Sequence, residues 1–213
     1  MSKHIHIIDM LSNTLRLFPN TMMIALFVVG IATSKISWIL AAIGGVLLSI
    51  IIVAVQHLLG KIYADDYPGE DVIEACSIIP TLEEYSYTPS LWGALTTFIL
   101  TFIFRNAWNI YTAPAGHGTN KEALAVQQRK SIGVVSMFVV VALFFICIGA
   151  RWFTTCERPF GLMLGVLLGG TAGYYWWKVV SMCSSQVYPD IHGVMAGLSS
   201  ANLRLDRLTV CLP

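Results

Sequence analysis

The sequence predicts an all-α, polytopic integral membrane protein with five transmembrane helices, or four if the first apolar run does not cross. Three observations predict it. Hydrophobic residues fill 56% of the 213 positions and charged residues only 12%, whereas a soluble domain carries roughly a quarter charged residues to keep its surface wet. Five apolar runs approach or reach the length needed to cross a hydrocarbon core about 30 Å thick at about 1.5 Å of rise per residue. Several of these runs carry small residues at four-residue spacing. Lipid supplies no hydrophobic drive for helices to associate, so such rows are the usual means of close packing.

The first run, 17–33, is the shortest, with Pro19 near its start and Ser34-Lys35 after it. Gly30-Ile31-Ala32 fits the small-x-small rule of signal-peptide cleavage, so this run could be a leader instead of a span. The start at Met1 favours a span that is kept. The second run, 36–59, has no formal charge until Lys61. So little chain separates the two that they form a tight helical hairpin or one bent, partly interfacial segment. The third begins at Thr88-Pro89-Ser90, a cap followed by proline at the first helical position. It continues over 91–104 to Arg105, whose long side chain can snorkel to the interface. The fourth, 132–150, is closed by Arg151. The fifth, 160–180, ends with Tyr174, Tyr175, Trp176 and Trp177 as an aromatic belt beside Lys178.

The chain thus divides into an N-terminal tail with a transmembrane hairpin (1–60), an acidic extramembrane loop (61–90), a three-helix transmembrane region (91–180) and a polar C-terminal tail (181–213). Five spans place the termini on opposite sides. Lys3, Arg16, Lys61, Arg151 and Arg158 fall on one side, and the other eight of the thirteen basic residues on the other. The positive-inside tendency assigns the 105–131 loop and the C-terminus to the cytoplasm.

Seven of the twelve acids, Asp65, Asp66, Glu70, Asp71, Glu74, Glu83 and Glu84, lie within 60–87 beside the single Lys61. This segment is a docking surface for a basic partner, or a solvated loop that stays off the membrane. Its spacing matches no EF-hand pattern. Helix packing is expected from Gly161, Gly165, Gly169 and Gly173 on the fifth helix and from Ser37, Ala41, Gly45 and Ser49 on the second. Gly93, Thr97 and Thr101 form a shorter row on the third. These rows pack within the chain or between copies of it in a homo-oligomer; the first is preferred.

Chemistry is weakly signalled. No charged residue stands in the middle of any span, where it would mark a transport path or a proton relay. The histidines make no metal-ligand spacing: His4 and His6 are expected in a free tail and His57 at an interface, so neither metal nor cofactor is expected. The net charge of +1 gives no reason to expect a nucleic-acid partner. Pro114-Ala115-Gly116-His117 resembles the P-S-G-H motif of membrane type 2 phosphatidic acid phosphatases, and Ser185-Gln186 followed by His192 resembles a second motif of that family. Ala115, Gln186 and Ala196 replace its serine, arginine and aspartate, the groups that would clamp a phosphate and orient the nucleophile. A divergent or inactive relative is therefore an alternative, and no catalytic residue is assigned. Cys76 and Cys156 would share the acidic side, as a disulfide if that side is oxidising or as free thiols otherwise. Cys147 is expected as a small packing residue.

Cys76-Ser77-Ile78-Ile79-Pro80, then Tyr87-Thr88-Pro89-Ser90 before an apolar span, then Cys156 ahead of the glycine-rich last helix, with Cys211 in the tail, carry one further likeness. Over 76–213 they resemble small polytopic membrane proteins encoded by large icosahedral DNA viruses of algae and protists. That resemblance implies a structural, non-enzymatic protein of the virion membrane, lying under the capsid shell. The expected role is to anchor or scaffold other proteins at a membrane, with lipid and membrane or capsid-type proteins as partners. An accessory subunit of a larger membrane complex is a further alternative.

Overall fold

The computed structural model describes residues 2–32, 36–63, 89–112, 120–153 and 159–183, with side chains except at 2–16, 60–63, 120–126, 128, 129 and 183. Among these residues the chain is all helical, with no strand. The helices are α1 (Ser2–Ala32), α2 (Ile36–Tyr63), α3 (Leu91–Thr112), α4 (Asn120–Phe153) and α5 (Pro159–Cys183). Four of them contain an expected apolar run and extend beyond it, because backbone hydrogen bonding continues where the side chains turn polar; α1 covers the first run up to Ala32, and position 33 lies outside the described residues.

Two differences from the sequence reading follow. α1 begins at Ser2, so His4 and His6 stand on a helix instead of in a free tail, and Pro19 lies inside that helix. The proline ring has no N–H to give to the carbonyl four residues back, so one helical bond is missing there. The cap of α3 is Ser90 and not a residue before Pro89. Ser90 Oγ accepts from the Gly93 backbone N–H at 2.8 Å, and Ala94 N–H donates to Ser90 O at 3.0 Å. A side-chain oxygen satisfying a first-turn N–H is what an N-cap does, and Pro89 stands just outside the helix.

α3 is the hub. Every residue from Pro89 to Leu100 is buried, and α3 packs against each of the other four helices, most extensively α5. α4 makes substantial contact only with α3, while α1, α2 and α5 are linked through α2. Trp92, Leu95, Phe98, Ile99 and Phe102 of α3 form the middle of the core. Leu26 of α1, Trp38, Ala41, Leu48 and Ile52 of α2, Cys147 of α4 and Val180 of α5 surround them. At the hairpin, a methyl group on Gly30 would lie 2.7 Å from Ile39 Cγ1 and 3.0 Å from Trp38 Cβ. Glycine there lets α2 start directly against α1.

The outward faces are apolar. Ile24, Phe27, Val28 and Ile31 on α1 are exposed, as are Ile43, Val46, Ile50 and Ile51 on α2. Val135, Phe138, Phe145 and Ile146 continue the pattern on α4, and Phe160, Met163, Leu167 and Val179 on α5. The interior meanwhile contains Ser37, Ser90, Thr96, Thr97, Asn106 and Arg151. The core is apolar as well, so what sets this surface apart is the number of large apolar side chains it exposes.

Among the described residues two helical stretches are long and apolar enough to cross a membrane, Ile36–Leu59 and Lys130–Phe153; Leu17–Ala32 is a shorter apolar stretch. α3 is less apolar because it carries Arg105, Asn106, Asn109 and threonines, and α5 because glycines and four consecutive aromatic residues occupy much of it.

Candidate functional site

The seam between α3 and α5 is the most closely built part of the molecule. Gly161 O accepts from the Ser90 N–H at 3.0 Å, which starts the pairing. A methyl group on Gly165 would stand 2.5 Å from Ser90 O, one on Gly169 would overlap Ala94 O, and one on Gly173 would stand 2.5 Å from Phe98 O. Both partners advance four residues at each step in the same direction, so α3 and α5 run parallel and in register. Without Cβ atoms on α5, its backbone settles onto the carbonyls of α3. Thr97 reaches the same seam, and its hydroxyl is satisfied by Gly93 O at 2.7 Å. Ser49, Thr112 and Thr171 donate likewise to carbonyls four residues back, which keeps hydroxyls paired inside apolar helices.

The row on α2 serves two neighbours. Ser37, Ala41 and Gly45 are buried and Ser49 is half-buried; Gly45 lies under the Met23 side chain of α1, and a methyl group there would stand 3.7 Å from Phe98 Cε1. Gly44, which the four-residue spacing does not include, accommodates the Trp176 indole of α5. Trp176 Nε1 donates to Leu40 O at 2.9 Å. The expected aromatic belt therefore divides: Tyr174 and Tyr175 are exposed, whereas Trp176 and Trp177 are half-buried and packed against the core. Gln56 Nε2 donates to Pro89 O at 2.7 Å and ties α2 to the start of α3.

At each end of α3 an arginine lies over aromatic rings. Arg151, near the end of α4, is only 5% exposed, with its guanidinium carbon 4.6 Å from the Trp92 ring centroid. Arg105, near the other end, lies 4.9 Å from the Tyr174 centroid and 5.0 Å from that of Trp177. All three distances are within the range of cation–π attraction. Arg105 is thus held on α5 and is not simply extended towards an interface. Sequence reading passed over these clusters. The signals available were Tyr174 and Trp177 three residues apart on one helix face and an arginine closing each polar end.

Several expected features lie outside the described residues: the acids Asp65, Asp66, Glu70, Asp71, Glu74, Glu83 and Glu84, the pair Cys76 and Cys156, and the loop histidines His117 and His192. His57 is exposed near the end of α2, and Cys147 is a buried free thiol. No group of three or more His, Cys, Asp or Glu side chains gathers among the described residues. No protein-family model, curated protein or solved structure matches the chain.

Proposed function

We propose that this chain is a five-span membrane protein whose bundle is a scaffold, holding its loops against other proteins at the membrane faces. The observation that carries the reading is the apolar surface. Large apolar side chains point outward on α1, α2, α4 and α5, while hydroxyls, an amide and an arginine are enclosed. Lipid is the solvent in which that arrangement costs least.

The modest hydropathy of α3 and α5 fits the same reading. α3 is surrounded by protein and meets little lipid; Thr97 is paired with Gly93 O, whereas the buried Thr96 hydroxyl has no partner among the described residues. The two helices have 22 and 25 residues, which is about 33 and 38 Å at ~1.5 Å per residue and enough to cross. α1 has 31 residues, of which Leu17–Ala32 is the apolar part; tilt or local thinning of the bilayer accommodates such a short stretch.

The scaffold role rests on how the interior is used. The glycine seam, the Trp176 bond and the Gln56 bond all join one helix to another, which favours a rigid body that presents loops. The 60–87 segment, with its seven acids, is the proposed docking surface, and its partner carries a basic face. An internal membrane beneath an icosahedral capsid is the setting in which the viral resemblance directs the search for that partner.

Alkaline carbonate extraction, protease shaving and mass spectrometry of solubilised complexes test the proposal together. The chain is expected to stay in the membrane pellet, with the 60–87 segment protected and a basic partner copurifying in fixed ratio. Replacing the seven acids by Asn and Gln is expected to release that partner and leave the bundle folded. Release by carbonate would refute the membrane reading. A segment cut freely on a chain that purifies alone would refute the scaffold reading.

A further inference from the structure

Arg105 is held by aromatic rings, and no acid faces it among the described side chains. Two ring faces from α5 lie against the guanidinium, at 4.9 and 5.0 Å. A guanidinium carries five N–H donors in a fixed fork and no acceptor. Nε is buried and has no hydrogen-bond partner among the described residues; the residue as a whole is half-buried, so the terminal nitrogens are the donors that a ligand can reach.

The surroundings favour an anion. Gly133 of α4 lies 3.2 Å from Ala107 O, measured from an added Cβ, and 3.3 Å from Tyr111 Cβ. The start of the apolar stretch of α4 is therefore level with the end of α3. Lys130, three residues earlier, is exposed, as is Lys178, next to Trp177. Trp108, Tyr111, Tyr174 and Tyr175 are exposed around them. Aromatic rings with cations among them are the composition of a bilayer's headgroup layer. No carboxylate is present among the described side chains.

We infer that Arg105 is an anion site at this end of the bundle, taking the phosphate of an anionic lipid headgroup. The inference rests on the membrane reading above. The planar fork suits a phosphate, which can accept two N–H bonds from it at once. The Tyr174–Trp177 cage holds the side chain before the anion arrives, so less rotamer freedom is lost on binding. Free inorganic phosphate shares this chemistry. Glu122, Asp190 and Asp206 fall on the same expected side in the sequence, and a carboxylate from one of them would compete for the same donors.

The full chain in mixed phosphatidylcholine–phosphatidylglycerol nanodiscs, released and weighed by native mass spectrometry, provides the test. The wild-type chain is expected to retain phosphatidylglycerol about fivefold over its bulk share, a preference of about 1 kcal/mol. Arg105→Gln is expected to lose that enrichment and Arg105→Lys to keep part of it. Lys178→Gln and Lys130→Gln are expected to retain most of it. The wild-type measurement stands even if a variant misfolds.

Three results would overturn the inference: no enrichment in the wild-type chain, enrichment that survives Arg105→Gln, or enrichment lost only with the lysines. Enrichment that appears only after Glu122, Asp190 and Asp206 are replaced would assign Arg105 to an internal carboxylate and overturn it too. Inorganic phosphate that stabilises the chain in neutral detergent as well as phosphatidylglycerol does would overturn the lipid source. Carbonate extraction reads the membrane reading separately. A chain that stays in the pellet and shows no lipid preference sinks this inference alone.

Discussion

Replacing Gly169 by alanine puts a methyl group where the α3 backbone already stands. The new Cβ would overlap Ala94 O and lie 2.7 Å from the carbonyl carbon, whereas ordinary contacts are 3.4–4 Å. The two helices must separate by at least about 0.7 Å at that step, the difference between 3.4 and 2.7 Å. Backbone cannot swing aside as a flexible side chain can, and the neighbouring steps at Gly165 and Gly173 are also close, each 2.5 Å from a carbonyl oxygen of α3. Overpacking of this kind costs about 1–3 kcal/mol, and the higher helix propensity of alanine returns up to about 1 kcal/mol. A net loss of about 1–2 kcal/mol is expected. Gly149 on α4 is the internal control, because a Cβ there would have nothing within 4 Å. Gly149→Ala should therefore be neutral or stabilise by up to about 1 kcal/mol. Reversible unfolding in mixed micelles by increasing sodium dodecyl sulfate, followed by far-ultraviolet circular dichroism, measures both. Equal stability of the two variants would refute the parallel glycine seam, since a glycine facing lipid or a loose groove tolerates a methyl group.

Other substitutions probe the remaining contacts by the same assay. Ser90→Ala removes the cap bond to Gly93 N–H and should cost about 1 kcal/mol; no loss would mean the first turn of α3 is satisfied in another way. Trp176→Phe keeps a ring over Gly44 but deletes the bond to Leu40 O, for an expected loss of about 1 kcal/mol, and an unchanged midpoint would count against that bond. Arg151→Lys retains the charge and removes the guanidinium from over Trp92, with an expected loss of about 1 kcal/mol and a change in tryptophan fluorescence. A wild-type spectrum and midpoint would remove Trp92 from the account.

The candidate sites were legible to different depths. The α5 glycines could be read because their spacing repeats the helical turn, and small residues in an apolar helix have few other uses. Gly44 could not be read, because it stands beside the row and its purpose is Trp176, which lies 132 residues later in the chain. The arginine cages were hidden for a similar reason. Each residue has an adequate local explanation, Arg105 and Arg151 as interfacial cations and Tyr174 and Trp177 as a belt, and nothing local sets which ring meets which guanidinium. Pro89-Ser90 shows the opposite case: that a helix starts there is local, and only the bond from Gly93 N–H identifies Ser90 as the cap.

The sequence by itself determined that the chain is helical, where each of the five apolar runs lies and which faces carry small residues. Those properties depend on residues a few positions apart and on the requirement that backbone groups in an apolar setting bond within their own segment. Only the tertiary structure decided that α3 is the central helix, that α5 lies against it in register, and which aromatic rings face the two arginines. Every apolar run has a similar surface to offer its neighbours. The choice among them is made by the detailed fit of a glycine against a carbonyl and an indole against a gap, and that fit exists only once the helices are side by side.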